Sequence, residues 1–234
     1  MQNNNLTQHN IETESLLKKK YDDFAIWHYP TCLKTVKENA DYLKDKVIID
    51  IGSNIGLFTK AIVEIIPYAH IHLFEPSKEY FEESKKILNN SPNITFNNYG
   101  LSDKNKTLNL YKSKDRNIGW NTLIEIDPFH GNYFSDVMDI EVVKLVKLDD
   151  YYKDIDVIDF IKIDVEGHER QVIEGAWDLI KKFKPYILIE ALWGIYHPEW
   201  NLNKKVYEQL LSLGYKYTEF ESLQQTKDLL FKPI

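Results

Sequence analysis

Val47-Ile48-Ile49-Asp50-Ile51-Gly52-Ser53-Asn54-Ile55-Gly56 is the stretch that decides the fold. A run of five with a single polar residue reads as a strand buried on both faces, Gly52 and Gly56 make a tight turn, and Phe58, Ile62, Ile65 and Ile66 follow at helical spacing. A strand, a glycine turn and a helix in that order bring backbone amides and a helix N-terminus to one point, where a polar or anionic ligand group can sit. Outward from this unit the pattern repeats. His70 to Phe74 reads as a strand closed by Glu75-Pro76, Lys78 to Asn89 as a helix, and Ile94 to Tyr99 as a third strand. Such alternation implies a parallel sheet with helices on both faces.

Residues 104–150 interrupt the rhythm: Thr107 to Tyr111 and Ile140 to Leu148 predict an inserted antiparallel ribbon, with a polar, turn-rich loop between its strands. Alternation resumes with a strand over Val157 to Asp164, a helix from Glu169 to Phe183 and a strand over Tyr186 to Glu190. A helix over Lys204 to Leu213 and an antiparallel edge strand over Tyr215 to Glu219 complete the pattern. Upstream, Leu16, Leu17, Phe24, Trp27, Leu33, Val36, Ala40 and Leu43 predict two helices, broken at His28-Tyr29-Pro30-Thr31. The expected organisation is a tail and helices over 1–46, followed by an α/β domain over 47–234 that carries the 104–150 insertion.

Composition narrows the function classes. The 234 residues are 43% hydrophobic and 28% charged, which excludes a disordered or collagen-like chain. With 36 acidic against 29 basic residues there is no broad cationic field for nucleic acid. Cys32 is the single cysteine, so no intramolecular disulfide and no multi-cysteine zinc site can form. The first 15 residues lack a basic start and an apolar core, and no run approaches ~20 apolar residues, so a cytoplasmic protein without membrane insertion is expected. Lys18-Lys19-Lys20, followed by Asp22 and Asp23, reads as a solvated helix face.

Chemistry concentrates at the carboxyl ends of the strands. A dinucleotide fingerprint begun at Gly52 would need glycine at 54 and 57, where Asn54 and Leu57 stand, so the nicotinamide reading fails at two of three positions. Asp50, two residues before the first glycine, suits a ligand bearing an amine and a sulfonium, although the turn by itself can serve only tight strand–helix packing. Glu75 lies 23 positions after Gly52, where this fold class places the acid that accepts ribose hydroxyls; Pro76 stops its strand. Ser102 or Asp103, after the third strand, can meet an adenine amine or merely form a turn. Asp164, Glu166, His168 and Glu169 crowd the end of the fourth strand, and Glu190 ends the next. Alternation puts Asp164 and Glu166 on one side if the chain stays extended, and Asp164 with Glu190 can bind a hard divalent cation such as Mg²⁺ or Mn²⁺. Acids at a helix N-terminus account for Glu166 and Glu169, and less well for Asp164 and Glu190. Trp120 and Asn121, with Phe129, His130 and Tyr133, and a second group of Trp193, Tyr196, His197 and Trp200, offer flat faces and hydrogen-bonding rims that suit a sugar ring; each aromatic can equally pin a loop.

The chain resembles the FkbM family of S-adenosylmethionine-dependent methyltransferases. The resemblance rests on Asp50 to Gly56 with Thr59, Phe74-Glu75-Pro76, Gly100 to Asp103, Leu148 to Tyr151, Ile161 to Glu169, Gly175-Ala176 and Ile189-Glu190, in order over 47–191. It implies a seven-stranded Rossmann-like sheet, with Asp50, Gly52, Asn54 and Gly56 around the methionine part of S-adenosylmethionine and Glu75 on its ribose. Ser53, Thr59 and Pro76 complete the expected cofactor set. Members typically methylate hydroxyl groups of sugars or natural products, so the resemblance implies an O-methyltransferase of a surface carbohydrate or its nucleotide-linked precursor. For catalysis, Asp164 and His168 are expected to flank the acceptor hydroxyl with His168 as general base and Glu166 beside them, or Asp164 and Glu190 to hold a metal. The alternatives are a nicotinamide-dependent oxidoreductase and a non-catalytic carbohydrate-binding module; a protein or lipid acceptor is also open. The N-terminal helices either cap the site or form a homodimer interface.

Overall fold

The computed structural model describes residues 22–89, 91–113, 118–125, 138–191, 200–221 and 227–234. Helices α1 (Asp22–Glu38) and α2 (Ala40–Leu43) precede β1 (Val47–Ile51), α3 (Leu57–Ile65), β2 (His70–Phe74), α4 (Lys78–Ile87) and β3 (Ile94–Asn97). Next come β4 (Gly100–Leu101), β5 (Lys106–Ser113), β6 (Met138–Val146), α5 (Leu148–Tyr151), β7 (Phe160–Ile163), α6 (Glu169–Gly175) and α7 (Trp177–Phe183). The chain closes with β8 (Tyr186–Glu190), α8 (Trp200–Ser212), β9 (Tyr215–Glu221) and β10 (Lys227–Pro233).

Seven strands form one sheet in the order β3-β2-β1-β7-β8-β10-β9. Its first five strands are parallel, and β10 runs antiparallel to both neighbours. The central strands alternate between two apolar layers. Ile48, Leu73, Phe160 and Leu188 pack with α1 and α3, whereas Ile49, Ile51, Ile161, Ile163, Ile187 and Ile189 pack with α6, α7 and α8. Each such side chain, hidden on an inner face, contributes roughly 1.5–3 kcal/mol, which is why a continuous apolar run marks these strands. Asp50 and Lys162 share the face of Ile48 and Phe160, by strand alternation, and so come to lie beneath α1 and α3.

Four features depart from the sequence expectations. Helix α1 runs through Pro30 without a break; the ladder bond that proline forfeits is offset by tertiary packing, since Cys32 and Val36 are buried and the Tyr29 hydroxyl donates to Glu64 of α3. The expected third strand ends at Asn97, and Gly100–Leu101 pairs instead with β6 in a second, three-stranded sheet, β4-β6-β5. The helix read over 169–183 divides at Ala176, where Gly175 meets the Ser102 carbonyl so closely that a Cβ would lie 1.9 Å from its oxygen. Strand β10 was not anticipated. It carries only Leu229-Leu230-Phe231 as an apolar core, yet it inserts between β8 and β9 and leaves β9 as the expected edge. The antiparallel ribbon is as expected, with β5 and β6 in register from Lys106–Leu145 to Ser113–Met138. Among the described residues, no helix is long and apolar enough to cross a membrane.

Candidate active site

Because β1 has β2 on one side and β7 on the other, the connections diverge at its carboxyl end and open a crevice there. Along that edge stand Glu75 after β2, the Gly52–Gly56 turn after β1, Asp164 after β7 and Glu190 at the end of β8. These span three inter-strand steps, about 14 Å. A cleft at this edge is lined by Gly52, Ser53, Asn54, Glu75, Pro76, Lys162, Asp164, Glu166, His168 and Glu190, with Phe58 and Val165 among its apolar walls.

The turn is shaped by backbone necessity. Gly52 has φ +71°, and a Cβ there would lie 1.8 Å from the Asp164 carbonyl oxygen. Asn54 also adopts a left-handed conformation, φ 53°, which asparagine tolerates better than most residues. Its backbone N–H donates to Glu75 Oε2 at 2.8 Å, and the Ser77 N–H donates to Oε1 at 2.8 Å. Glu75 is thus fixed by one amide on each oxygen, each of which keeps a second lone pair. Burial pushes its carboxyl up to about 7, with the two amides and Lys162 offsetting only part of that cost.

Asp50 and Thr59 are fully buried behind the turn and off the cleft wall. The Thr59 hydroxyl donates to Asp50 Oδ2 at 2.7 Å, and Asp50 Oδ1 lies 3.5 Å from Lys162 Nζ. Lys162 also sits 3.0 Å from Asp164 Oδ2, donates to the Gly52 carbonyl at 3.2 Å and lies 5.9 Å from the centre of the Phe58 ring. Burial works against its charge, but Asp164 and Asp50 outweigh that and hold its pKa above the ordinary lysine value. On the other side of Asp164 its carboxylate shares a hydrogen bond with Glu190, whose pKa is driven well above the usual range by burial first and then by the charges of Asp164 and Glu166. Its protonated form is favoured accordingly. Asp228, paired with Glu190 across β10 and β8, is raised to about 6 by burial and by Asp164.

After Ile163 the chain does not remain extended, so alternation does not place Glu166. Glu166 and Gly167 have φ 49° and 98°, a left-handed pair that turns the chain into α6. The Gly167 N–H donates to Glu169 Oε1 at 2.9 Å, and burial raises Glu169 to about 7. His168 occupies the N-cap position, lines the cleft and is buried, with Nε2 2.9 Å from Ser102 Oγ. Ser102 Oγ donates to Asp103 Oδ1 at 2.8 Å, and Lys106 Nζ donates to the same oxygen at 2.8 Å. Ser102 and Asp103 thus stand behind His168 and are not part of the cleft wall.

The segment 118–125 of the insertion crosses the cleft mouth and is tied at two points. Asn54 Nδ2 donates to the Ile118 carbonyl at 2.6 Å, and Thr122 Oγ1 donates to the Glu166 carbonyl at 2.7 Å. This places Asn121 on the cleft wall and Trp120 on its rim, 60% exposed. His130, with Phe129 and Tyr133, and Trp193, Tyr196 and His197 lie outside the described residues.

Buried polar atoms with no hydrogen-bond partner among the described residues include Ser53 Oγ and Asp50 Oδ1. Asp50 Oδ1 faces Lys162; Ser53 lines the cleft and leaves a hydroxyl for a polar ligand group. A divalent cation fits poorly. No group of three or more His, Cys, Asp or Glu side chains among the described residues could hold one, the Lys162 ammonium already pairs with Asp164, and burial favours the neutral form of Glu190. The metal expectation for Asp164 and Glu190 thus finds no support among the described residues. Lys162 itself received no role from sequence, although a lone lysine inside an apolar central strand was a visible signal; Asp228 and Thr122 gave none.

The raised acids set the pH dependence of stability. Glu75 and Glu169 at about 7, Asp228 at about 6 and Glu190 hold protons in the folded chain that the unfolded chain has released. The contribution of these four groups is therefore full below the ordinary carboxylate range and is lost as pH rises from there through about 7, by about 3 kcal/mol each for Glu75, Glu169 and Asp228 once fully titrated. His72, lowered by burial, works the other way as one group, and Asp103, held down at about 2, is silent in this window. Thermal denaturation without ligand should give a lower Tm at pH 8 than at pH 5.5. A flat or rising Tm contradicts this electrostatic picture.

The family model for the methyltransferase FkbM domain matches residues 50–217, nearly three quarters of the chain. The chain belongs to the FkbM family of methyltransferases. Methyltransferase 1 of Beauveria bassiana is 25% identical over 190 residues, covering 68% of this chain and 76% of that protein. The crystal structure of methyltransferase FkbM from Methylobacillus flagellatus superposes with TM-score 0.55 at 18% identity, covering 80% of this chain and 43% of that one. This FkbM chain therefore spans less than half the length of that structural relative. A SAM-dependent methyltransferase from Aquifex aeolicus gives TM-score 0.50 at 12% identity over 93% of this chain and 96% of that one, a likeness of fold. The protein is a methyltransferase of this family on a Rossmann-like sheet.

Proposed function

We propose that this FkbM methyltransferase transfers a methyl group from S-adenosylmethionine to a hydroxyl of a carbohydrate, in the cytoplasm, on a surface-polysaccharide sugar or its nucleotide-linked precursor. The observation that carries it is the division of one cleft by the β1 switch point. On one side is a carboxylate fixed by backbone amides, and on the other a histidine beside a lysine-held aspartate. Glu75 retains lone pairs for ribose hydroxyls, Ser53 Oγ is free for a polar group of the methionine part, and Trp120 offers a flat face at the rim for a sugar. When bound there, the sulfonium supplies the methyl carbon as an electrophile. His168 would take the proton of the acceptor hydroxyl, leaving the acceptor oxygen as the nucleophile for that carbon with the neutral sulfide as leaving group. Asp164 is held as an anion by Lys162 and can accept a hydrogen bond that orients the acceptor.

The direct test is calorimetric titration with S-adenosylhomocysteine, with NAD as the control. Saturable binding of the first and none of the second is expected; binding of NAD, or of neither, rejects the proposal. Ribose hydroxyls donate to the ionised form of Glu75, so affinity should strengthen as pH rises through about 7. Glu75→Gln should weaken binding roughly 10- to 100-fold.

A further inference from the structure

The mechanism above requires one nitrogen of His168 to be proton-free, and leaves unexplained a buried chain of hydrogen bonds behind that ring. Ser102 is fully buried, off the cleft wall, with its hydroxyl 2.8 Å from Asp103 Oδ1 and 2.9 Å from His168 Nε2. A hydroxyl has one proton to give. Asp103 is an obligate acceptor: burial opposes its charge, but hydrogen bonds from Lys106 and Ser102 prevail and hold it down at about 2, so it is ionised throughout the working range. The Ser102 proton therefore goes to Asp103, and the Ser102 oxygen is left to accept from His168.

We infer that Asp103 and Ser102 are positioning residues that fix the imidazole of His168 as the Nε2–H tautomer, in which Nδ1 is the proton-free nitrogen. The inference rests on the methyltransferase reading for its catalytic meaning, but the tautomer is a property of the protein alone. It also gives the Gly100–Asp103 segment a task other than the adenine contact read from sequence. The backbone supports the arrangement: Gly175 at the end of α6 abuts the Ser102 carbonyl, which ties the helix opened by His168 to the segment carrying Ser102. When Nδ1 also carries a proton, Nε2–H still donates to Ser102, and the Asp103 carboxylate beyond it stabilises the imidazolium through the shared hydroxyl.

The test is nitrogen-15 NMR of the imidazole rings in the full chain without ligand, with the His168 signals assigned through His168→Gln. Long-range proton–nitrogen correlations distinguish the two neutral tautomers; wild type should show Nε2 protonated. Asp103→Ala frees the Ser102 hydroxyl to turn and donate to Nε2, so His168 should shift toward the Nδ1–H form. Asp103 is only partly buried, so this variant is expected to fold; Ser102→Ala, which removes the acceptor, should broaden or mix the two forms. Calorimetry of Asp103→Ala with S-adenosylhomocysteine should match wild type within about twofold. An Nδ1–H wild type, or a tautomer indifferent to Asp103→Ala, overturns the inference. A tenfold loss of S-adenosylhomocysteine affinity in Asp103→Ala overturns it in favour of a cofactor contact. Absence of binding by wild type instead rejects the functional reading, and with it the catalytic role of the tautomer.

Discussion

Replacing Lys162 by methionine is expected to cost about 3–5 kcal/mol of folding stability, the usual penalty for removing one partner from a buried ion pair. The size of the stem is kept by methionine, so the loss is electrostatic. Wild type holds one ammonium against Asp50 at 3.5 Å and Asp164 at 3.0 Å, with a further bond to the Gly52 carbonyl. Asp50 is fully buried, and Thr59 alone cannot replace a counter-charge. The wild-type contribution persists at any pH below the ordinary lysine value and on past it, because the folded pKa is raised. In Lys162→Met the deficit should therefore be full at neutral pH and shrink as carboxylates are protonated at low pH. Urea titrations of both proteins at pH 7.5 and pH 5 measure this. A deficit under 1 kcal/mol at pH 7.5, or one that grows toward pH 5, shows that Lys162 is not the counter-ion of the site.

Removing the imidazole in His168→Ala is expected to lower kcat by about 10²- to 10⁴-fold, the range for losing a positioned general base. The ring is buried and touches Ser102 on its far side, so its truncation leaves a small cavity and little disturbance of the turn that holds Gly52 and Glu75. S-adenosylhomocysteine affinity should accordingly stay within a few-fold of wild type, which separates lost chemistry from lost binding. Turnover is read as transfer of labelled methyl from S-adenosylmethionine to whichever nucleotide-linked sugar wild type accepts in a panel. Near-wild-type turnover in His168→Ala moves the base to Asp164. Lost cofactor affinity makes His168 part of the cofactor site.

The parallel core and the order of the site motifs were legible because their causes are local. Val47–Ile51 and Tyr186–Glu190 announce themselves as strands by apolar runs too short for helices, and Gly52 by a turn that no other residue type can make so close to Asp164. Glu75 could be placed because the fold class fixes where the second parallel strand ends relative to the first. The two departures in helices have one explanation: Pro30 and Ala176 are judged by local propensity in a sequence, but in the folded chain by what packs around them. Strand β10 was hidden because three apolar residues make no period, and only pairing with β8 and β9 on both sides makes them a strand.

Charge pairing divides what the sequence determined from what only folding decided. The residue types at 50, 162, 164, 168 and 190, and their common sheet edge, follow from the sequence. Which of them faces a ligand does not: Asp50 turned out to be a buried partner of Lys162, Asp164 a shared neighbour of Lys162 and Glu190, and Ser102 a neighbour of His168 from 66 positions away. Strand alternation and turn chemistry act over a few residues, so a sequence can carry them by itself. Hydrogen bonds and ion pairs between strand ends depend on register and on the turn taken after each strand, and these are set only when the sheet closes and the helices bury it.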